Sequence, residues 1–255
     1  GRNAELERAL DYLRRTREEL STKELLAQSD PLTGLYNRRC MDKQLPNFAR
    51  RASETGGTLI LLMGDLDGFK PLNDVFGHSA GDAMLVETAN RMKAAAARYG
   101  GSVARLGGDE FAYVLPWNTS REEAMKFSLE LVASISHPVV LPSGDISRVS
   151  ASVGMSSRSF DVASAKDLLE QADFALFRAK EATSGPVVEF SSHHAASKRR
   201  EVLVHQAFKN ADLDKEIHLV FQPIIDTRDG AIRRCEALAR WEHPVRGSIS
   251  PGEFI

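Results

Sequence analysis

A Gly-Gly-Asp-Glu-Phe run at 107–111 joins two apolar runs of strand length, 102–106 and 111–115. This pattern predicts a β-hairpin whose tip carries two adjacent acids, Asp109 and Glu110. The glycines permit positive φ and a close approach of the backbone to a ligand, and carboxylates are the hard oxygen ligands that divalent cations prefer. Many such tips are only solvated turns, so a binding site here needs support from elsewhere in the chain.

That support comes from a second pair of acids, Asp65 and Asp67, which close an apolar run that begins at Thr58. A strand projects residues i and i+2 from the same face, so the two acids would lie side by side. Asp67 could instead be the N-cap of a helix that starts near 69–71, and we assign it that role. Asp65 then remains as a ligand, and Asp109 would complete a Mg²⁺ site that also uses substrate phosphates.

Several motifs, in this order and spacing, resemble the GGDEF domain of diguanylate cyclases. The resemblance begins at 30–39 and runs to about Phe190, which is the length of one ordinary domain. Its motifs are the run at 107–111 and the segments 65–70, 73–74, 77–82, 152–154 and 172–180. The resemblance implies that two GTP molecules condense to cyclic di-GMP and pyrophosphate. It also implies a Mg²⁺ (or Mn²⁺) cofactor and a homodimer that brings two half-sites together.

The resemblance assigns the metal site and the chemistry to two short segments. The metal ligands would be the side chains of Asp65 and Asp109 and the backbone carbonyl of Leu66. Glu110 is either a further metal ligand or the general base, and the sequence does not separate these roles. The catalytic pair is therefore Asp109 and Glu110.

Guanine and phosphate contacts follow from other positions. Asn73 and Asp82 match the guanine-binding pair of the family, and a carboxylate accepts from N–H groups that adenine does not present in that arrangement. Asn73 could instead be an exposed helix residue, and Asp82 a partner of a helix dipole. Lys180 matches a phosphate contact of the family. The start of a helix also offers backbone N–H groups to phosphates, here at Gly68, Phe69 and Lys70.

The chain departs from the family pattern at two places. After Lys180 many members have an arginine in a Gly-Arg-Asn turn, whereas this chain has Thr-Ser-Gly-Pro at 183–186. One phosphate contact is therefore expected to be missing. The inhibitory Arg-x-x-Asp motif of the family would lie at 98–101, where Arg98 is present but Gly101 replaces the aspartate. Product inhibition is therefore expected to be absent or weak.

A second resemblance begins beyond residue 220. The segments 221–226, 236–241, 243–244 and 251–255 look like the opening of an EAL phosphodiesterase domain, which resembles a TIM-like barrel of about 250 residues. Only the first strands of such a barrel are expected in this fragment, so no phosphodiesterase activity is expected from it. The residues that match the family's first metal ligand and its dinucleotide contacts are Glu236, Gln222 and Arg240.

Strand and helix patterns alternate between these motifs, and the hairpin excludes a purely parallel sheet. We therefore expect an α+β fold of the nucleotide-cyclase type, with a mixed, largely antiparallel sheet flanked by helices. The expected domains are an N-terminal signalling helix with coiled-coil character at 1–28, the GGDEF domain at 29–191, and a linker helix with the first EAL strands at 192–255. Leucines seven residues apart suggest the coiled coil, although a helix packed on its own domain is an equal alternative.

Composition narrows the class of partner. The formal net charge is −2, which gives no reason to expect binding to nucleic acid or to an anionic membrane. The two cysteines, Cys40 and Cys235, have no metal-site spacing and suit a reducing compartment. No run approaches the ~20 apolar residues of a membrane span. We expect a cytoplasmic fragment whose sensor domain, and any membrane anchor, lie upstream and whose complete EAL domain belongs to the parent protein.

Two functions remain open from the sequence. The first is an active diguanylate cyclase within a GGDEF-EAL signalling protein. The alternative is a catalytically weak GTP-binding module that regulates a downstream EAL phosphodiesterase. The three acids Asp65, Asp109 and Glu110 favour the enzyme, whereas the missing arginine favours the regulatory module.

Overall fold

The computed structural model describes residues 27–159, 165–181 and 185–254. Of these, the residues up to Phe190 form one compact unit and those from Ser191 onward form a second. The N-terminal helix predicted at 1–28 falls almost entirely outside the described residues, so its coiled-coil character stays a prediction.

The first unit is built on a β-sheet. The strands of the first unit are β1 (Tyr36–Asn37), β2 (Thr58–Asp67), β3 (Ser102–Gly107), β4 (Glu110–Val114), β5 (Val139–Val140), β6 (Ile146–Ser147), β7 (Ser150–Ser159) and β8 (Val187–Glu189). Six of them form the main sheet, in the order β1-β3-β4-β2-β7-β8. Its inner strands pair antiparallel, whereas β1 and β8 pair parallel to their neighbours at the two edges. This confirms the prediction of a mixed, largely antiparallel sheet. The small β5–β6 hairpin is a separate two-stranded sheet.

Helices cover both faces of this sheet, and β2 is buried between them. Ile60 and Leu62 pack into one core cluster, while Leu59 and Leu61 pack into another, as the alternation of side chains along a strand requires. The apolar run of β2 is continuous because both of its faces are covered. The helices of this unit are α1 (Arg38–Thr55), α2 (Phe69–Phe76), α3 (His78–Tyr99), α4 (Arg121–Ile135) and α5 (Ala165–Glu181).

Local capping explains where α4 begins and ends. Ser120 and Glu123 form a reciprocal capping box at its start. At the other end, the guanidinium of Arg91 on α3 donates to the carbonyls of Ser134 and Ile135 and to two carbonyls that follow the helix. One arginine thus satisfies carbonyls that a helix end leaves unpaired, and it fixes α4 against α3.

The second unit contains the predicted connecting helix and the predicted strands. Its elements are α6 (Ser192–Lys209), α7 (Leu213–Glu216), β9 (Ile217–Ile225), β10 (Ile232–His243), β11 (Gly247–Ile249) and α8 (Pro251–Phe254). The strands form an antiparallel sheet in the order β11-β10-β9, and a small core gathers around the buried Trp241. His194 closes a capping box with Ser191 at the start of α6. Among the described residues, no helix is long and apolar enough to cross a membrane.

Candidate functional site

The predicted metal-binding acids meet at the end of the β2–β4 pair. Asp65 on β2 lies directly opposite Glu110 on β4, and Asp109 is the residue before Glu110 in the glycine turn. Burial raises the pKa of the Asp65 carboxyl, and the nearby charges of Asp109 and Asp67 raise it further. Negative charge is therefore concentrated at this edge, and residues about 45 positions apart in sequence supply it.

A cationic side chain faces each of the two cross-strand acids. Lys180 Nζ on α5 lies 2.8 Å from Asp65 Oδ1, and Arg38 on α1 lies 2.9 Å from Glu110 Oε2. The hydrogen bond from Lys180 lowers the pKa of Asp65 and so opposes the effect of burial. Sequence analysis placed Lys180 on a phosphate; here it contacts a carboxylate of the same site.

The acids, as the structure holds them, do not form a ready cluster of metal ligands. Among the described residues, no group of three or more His, Cys, Asp or Glu side chains is arranged to hold a metal ion. The chemistry of the donors nevertheless suits Mg²⁺, because Asp65 is a largely buried carboxylate whose neighbour Asp109 repels it. A divalent cation between them would relieve that repulsion. The residues therefore fit the metal that the sequence predicted.

The glycine turn adopts backbone conformations that other residues avoid. Gly107 has φ 144° and Gly108 has φ 53°, and the β3–β4 register shifts between Arg105 and Gly107. The Arg105 guanidinium donates to the Gly108 carbonyl at 2.9 and 2.8 Å. The predicted hairpin is therefore present, and the Arg105 side chain fixes the backbone of its tip by hydrogen bonds.

The structure corrects the role assigned to Asp67. The cap of α2 is Gly68, with φ 79° and no side-chain cap bond, and β2 continues as far as Asp67. The Asp67 carboxylate instead accepts hydrogen bonds from the hydroxyls of Ser150 and Ser152 on β7, at 2.8 and 3.0 Å. The preceding residue, Leu66, points to the opposite face of β2 and is buried. The N-cap prediction was wrong because β2 is longer than its apolar run.

Phosphate contacts were predicted at the start of α2. Gly68 directly follows β2, and the helix begins at Phe69, which packs partly against the core, while Lys70 is exposed. The first N–H groups of a helix have no partner within it, so this turn presents donors next to the acidic edge. The placement agrees with the predicted role without testing it.

The predicted guanine pair lies on two adjoining helices. Asn73 is on α2 and Asp82 is on α3, where Asp82 is exposed. Asn73 Oδ1 is buried with no hydrogen-bond partner. It also lies 2.0 Å from the point that a Cβ of Gly81 would occupy. A buried amide oxygen without a partner is rare in proteins, and a bound ligand would account for it.

We expect Gly81→Ala to displace the Asn73 side chain and narrow the preference for GTP over ATP. GTP binding should weaken by about 10-fold, the effect of losing roughly one hydrogen bond, while ATP binding should change little. Alanine is the better helix former by ~1 kcal/mol, so any loss would not come from a weaker helix. Calorimetry with both nucleotides checks this, with Ser79→Ala on the exposed side of α3 as the control. If the ratio of the GTP and ATP affinities is unchanged, Asn73 does not contact the guanine base.

The position of the missing inhibitory aspartate is sterically closed. Gly101 has φ 100°, and a Cβ there would lie 2.4 Å from the Val114 carbonyl oxygen and 2.7 Å from the Tyr113 ring. An aspartate could not replace this glycine without moving the start of β3. The departure from the family pattern is therefore built into the local backbone.

The three residues carried over from the EAL resemblance lie on the β9–β10 hairpin. Gln222 and Glu236 are direct cross-strand partners, and both are exposed. Arg240 follows Glu236 by four positions, which places both on the same face of β10. The hairpin therefore places Gln222 beside Glu236, with Arg240 further along the same strand, and the role of all three stays a prediction.

Sequence analysis missed the two arginines that contact the glycine turn. Arg38 and Arg105 were not singled out, because their partners Glu110 and Asp30 are 72 and 75 residues away. The available signal was the position of Arg105, two residues before the glycine pair on the same predicted strand. Arg38 gave no signal beyond its place in the 30–39 motif.

Comparison with known proteins places these features in a family. Residues 27–185 match the family described as "Diguanylate cyclase, GGDEF domain", and residues 205–255 match the EAL domain family. The chain is 34% identical over 232 residues to the bifunctional diguanylate cyclase/cyclic di-GMP phosphodiesterase MucR of Pseudomonas aeruginosa, covering 90% of this chain and 33% of that protein. It is 33% identical over 230 residues to the cyclic di-GMP phosphodiesterase NbdA of the same organism, covering 90% and 29%.

Solved structures agree with the sequence matches. The coiled coil and GGDEF domain of DgcB from Caulobacter crescentus, in complex with c-di-GMP, superpose with a TM-score of 0.67 and 29% identity, covering 73% of this chain and 98% of that one. This chain spans about a third of the length of the curated relatives. The hairpin turn, the acidic edge and the matched residues together lead to one conclusion: the chain belongs to the GGDEF domain family of diguanylate cyclases and continues into an EAL-type segment.

Proposed function

We propose that this chain is a diguanylate cyclase that condenses two GTP molecules into cyclic di-GMP and pyrophosphate. The observation that carries the proposal is the pairing of Asp65 with Glu110 across β2 and β4, beside Asp109 in the glycine turn. Carboxylates at one strand edge suit a triphosphate substrate with Mg²⁺, which is held by one or two carboxylates together with phosphate oxygens.

In the proposed reaction, the 3′-hydroxyl of one GTP attacks the α-phosphorus of the other. This attack forms a P–O bond, pyrophosphate leaves with the electron pair of the broken bond, and the hydroxyl gives up its proton. A second, reciprocal attack by the other 3′-hydroxyl closes the ring and releases a second pyrophosphate. Asp65, Asp109 and the Leu66 carbonyl would hold Mg²⁺ (or Mn²⁺), with Glu110 as a further ligand or as the base that accepts the proton. The bound cation would supply Lewis-acid stabilisation of negative charge on the phosphates. Each subunit of a homodimer would present one GTP to the other.

Lys180 has a place in this proposal as a residue that changes partner. The Lys180 side chain is 42% exposed while the Asp65 side chain is 13% exposed, so the lysine reaches into the site from the solvent side. When a cation occupies Asp65, Lys180 would be free to contact the triphosphate, the role that the family resemblance gives it. The first-turn N–H groups at Gly68, Phe69 and Lys70 would hold the same phosphates.

The second function is a GTP-binding module that regulates an EAL phosphodiesterase. The missing arginine after Lys180 favours this function. The similarity to NbdA, a cyclic di-GMP phosphodiesterase, favours it as well. We also propose that the EAL segment described here, which carries Gln222, Glu236 and Arg240, has no phosphodiesterase activity by itself. An upstream sensor domain and a complete EAL domain would be its partners in a longer protein.

Incubation with GTP and Mg²⁺ separates the two functions. We expect pyrophosphate and cyclic di-GMP to appear together in a two-to-one ratio, because each of the two phosphodiester bonds formed from two GTP molecules releases one pyrophosphate. Chromatography of the nucleotides with a coupled pyrophosphate assay measures both, and omission of the metal is the control. Saturable GTP binding by calorimetry with neither product would instead support the regulatory module.

A further inference from the structure

The segment that leads into α1, residues 27–37, folds into a compact turn beside the catalytic hairpin. The Asp30 carboxylate accepts from the backbone N–H and the hydroxyl of Thr33 at 2.8 and 2.7 Å, and the Asp30 amide donates to the Leu35 carbonyl. Lys93 on α3 donates to the Thr33 carbonyl at 2.6 Å. We call residues 27–37 the leading segment. Its conformation is fixed by its own hydrogen bonds and by α3.

The leading segment contacts the glycine turn through Arg105. The Arg105 guanidinium pairs with both oxygens of Asp30 at 3.2 Å while it donates to the Gly108 carbonyl. Both members of the Arg105–Asp30 ion pair are mostly buried, with side-chain exposures of 13% and 17%. This bridge fixes the backbone of the turn, but it does not contact a carboxylate of the active site.

A second bridge does reach the active-site carboxylates. Arg38 is the first residue of α1, directly after the leading segment, and its guanidinium makes two different contacts. Nε donates to the Leu106 carbonyl at 3.0 Å, and Nη2 donates to Glu110 Oε2 at 2.9 Å. The same planar group therefore holds the strand before the turn and the acid after it, a fork geometry that lysine cannot reproduce.

Asn37 ties this arginine to the residues upstream. Its amide nitrogen donates to the carbonyls of Ala27 and Ser29 at 3.0 and 3.1 Å, while its amide oxygen accepts from the Cys40 N–H and caps α1. A shift of residues 27–29 would therefore move the first turn of α1, and Arg38 with it.

The Arg38–Glu110 pair is too exposed to be explained by stability. The side chains are 56% and 38% exposed, and exposed ion pairs typically contribute only ~0–1 kcal/mol. What the contact does fix is position, because Glu110 lies directly opposite Asp65 and follows Asp109. Its value therefore lies in orienting a carboxylate.

We propose that Arg38 is a positioning residue that holds Glu110 and couples the catalytic turn to the leading segment. The inference about catalysis rests on the proposed cyclase function, whereas the coupling itself does not. Arg38 contacts no reacting atom; it acts through the Glu110 carboxylate and the Leu106 carbonyl.

The test compares Arg38→Ala with Arg50→Ala, which removes an exposed ion pair of the same kind with Glu54 elsewhere on α1. For Arg38→Ala we expect kcat to fall by about 10-fold, with KM for GTP within about 2-fold and the melting temperature unchanged. Hydrogen exchange at the Gly108 and Asp109 amides should speed up by about 10-fold, because the turn loses a tether. Arg38→Lys should fall between wild type and Arg38→Ala, since it keeps the charge but not the fork.

Each outcome bears on the proposal. Equal exchange and turnover in Arg38→Ala and Arg50→Ala would overturn it, and so would a similar large loss of melting temperature in both Arg38→Ala and Arg38→Lys, which would show a structural role. If the wild-type chain makes no cyclic di-GMP, the cyclase proposal fails, yet the exchange data still decide whether Arg38 holds the turn.

A variant of Asn37 tests the coupling to the leading segment. Asn37→Asp keeps an oxygen that can cap α1 but removes the N–H donors to Ala27 and Ser29. We expect faster exchange at the turn amides, in the same direction as for Arg38→Ala, without a lower melting temperature. Unchanged exchange in this variant would show that residues 27–29 do not act on the turn.

Discussion

Asp109→Asn is expected to reduce cyclic di-GMP synthesis by on the order of 10²–10³-fold, the scale of losing one group that stabilises charge in a transition state. The amide keeps the shape of the side chain but removes a metal ligand from the turn. Initial-rate assays with GTP at saturating Mg²⁺ measure the effect, and Asp145→Asn, an exposed acid in the β5–β6 turn, is the control.

The fold of this variant should be intact and slightly more stable. The charge of Asp109 helps to raise the pKa of Asp65, so at neutral pH it opposes ionisation of a largely buried carboxylate. When the pKa of a carboxyl is higher in the folded than in the unfolded state, the stability of the fold decreases as the pH rises through the folded-state pKa. Removing the neighbouring charge reduces that loss of stability. We therefore expect an unchanged or higher melting temperature near pH 7. A variant that unfolds, or that keeps wild-type turnover, would show that the metal assignment at the turn is wrong.

The parts of the site that depend on local pattern could be predicted from the sequence. The Gly-Gly pair between two apolar runs predicted the hairpin, and the apolar run before Asp65 predicted a strand. The start of α4 is also set locally, because Ser120 and Glu123 of its capping box lie three positions apart. Each of these features depends on residues within a few positions of one another, where backbone preference and side-chain period decide the outcome.

The parts that the sequence did not predict depend on pairings between distant residues. Asp67 meets Ser150 and Ser152 only because β2 and β7 pair along ten residues. Arg38 reaches Glu110 only because β1 pairs with β3, which places the start of α1 beside the turn. Local propensity gives no information on such register, so a residue can be assigned a plausible local role and be wrong. Asp67 is the example, since an aspartate before a helix is usually its cap.

Gly154 shows how a sequence motif can have a steric cause. It lies on β7 where α5 crosses the sheet, and a Cβ at this position would be 2.1 Å from the Ala172 carbonyl oxygen and 2.2 Å from the Leu176 amide nitrogen. Both atoms belong to the backbone of α5, so a side chain at 154 cannot be accommodated by a rotamer change. The helix itself would have to move away from the strand.

Gly154→Ala is therefore expected to lower the free energy of unfolding by about 1–3 kcal/mol, the usual range for overpacking a core. For a domain of this size the melting temperature should fall by roughly 2–4 °C per kcal/mol. Thermal unfolding followed by circular dichroism measures this. The matched control is Gly64→Ala on the neighbouring strand β2, where the nearest atom to a new Cβ is Val153 Cγ2 at an ordinary 3.7 Å.

Gly154→Ala should also change the active site, because Lys180 lies on α5. A helix displaced from β7 would move the ammonium away from Asp65, which it now contacts at 2.8 Å. We expect KM for GTP to rise in Gly154→Ala at temperatures well below its melting point. The melting temperature of the control Gly64→Ala should stay within a few degrees of wild type. If Gly154→Ala melts like the control, α5 packs less closely on β7 than the structure indicates, and the steric explanation of this glycine is wrong.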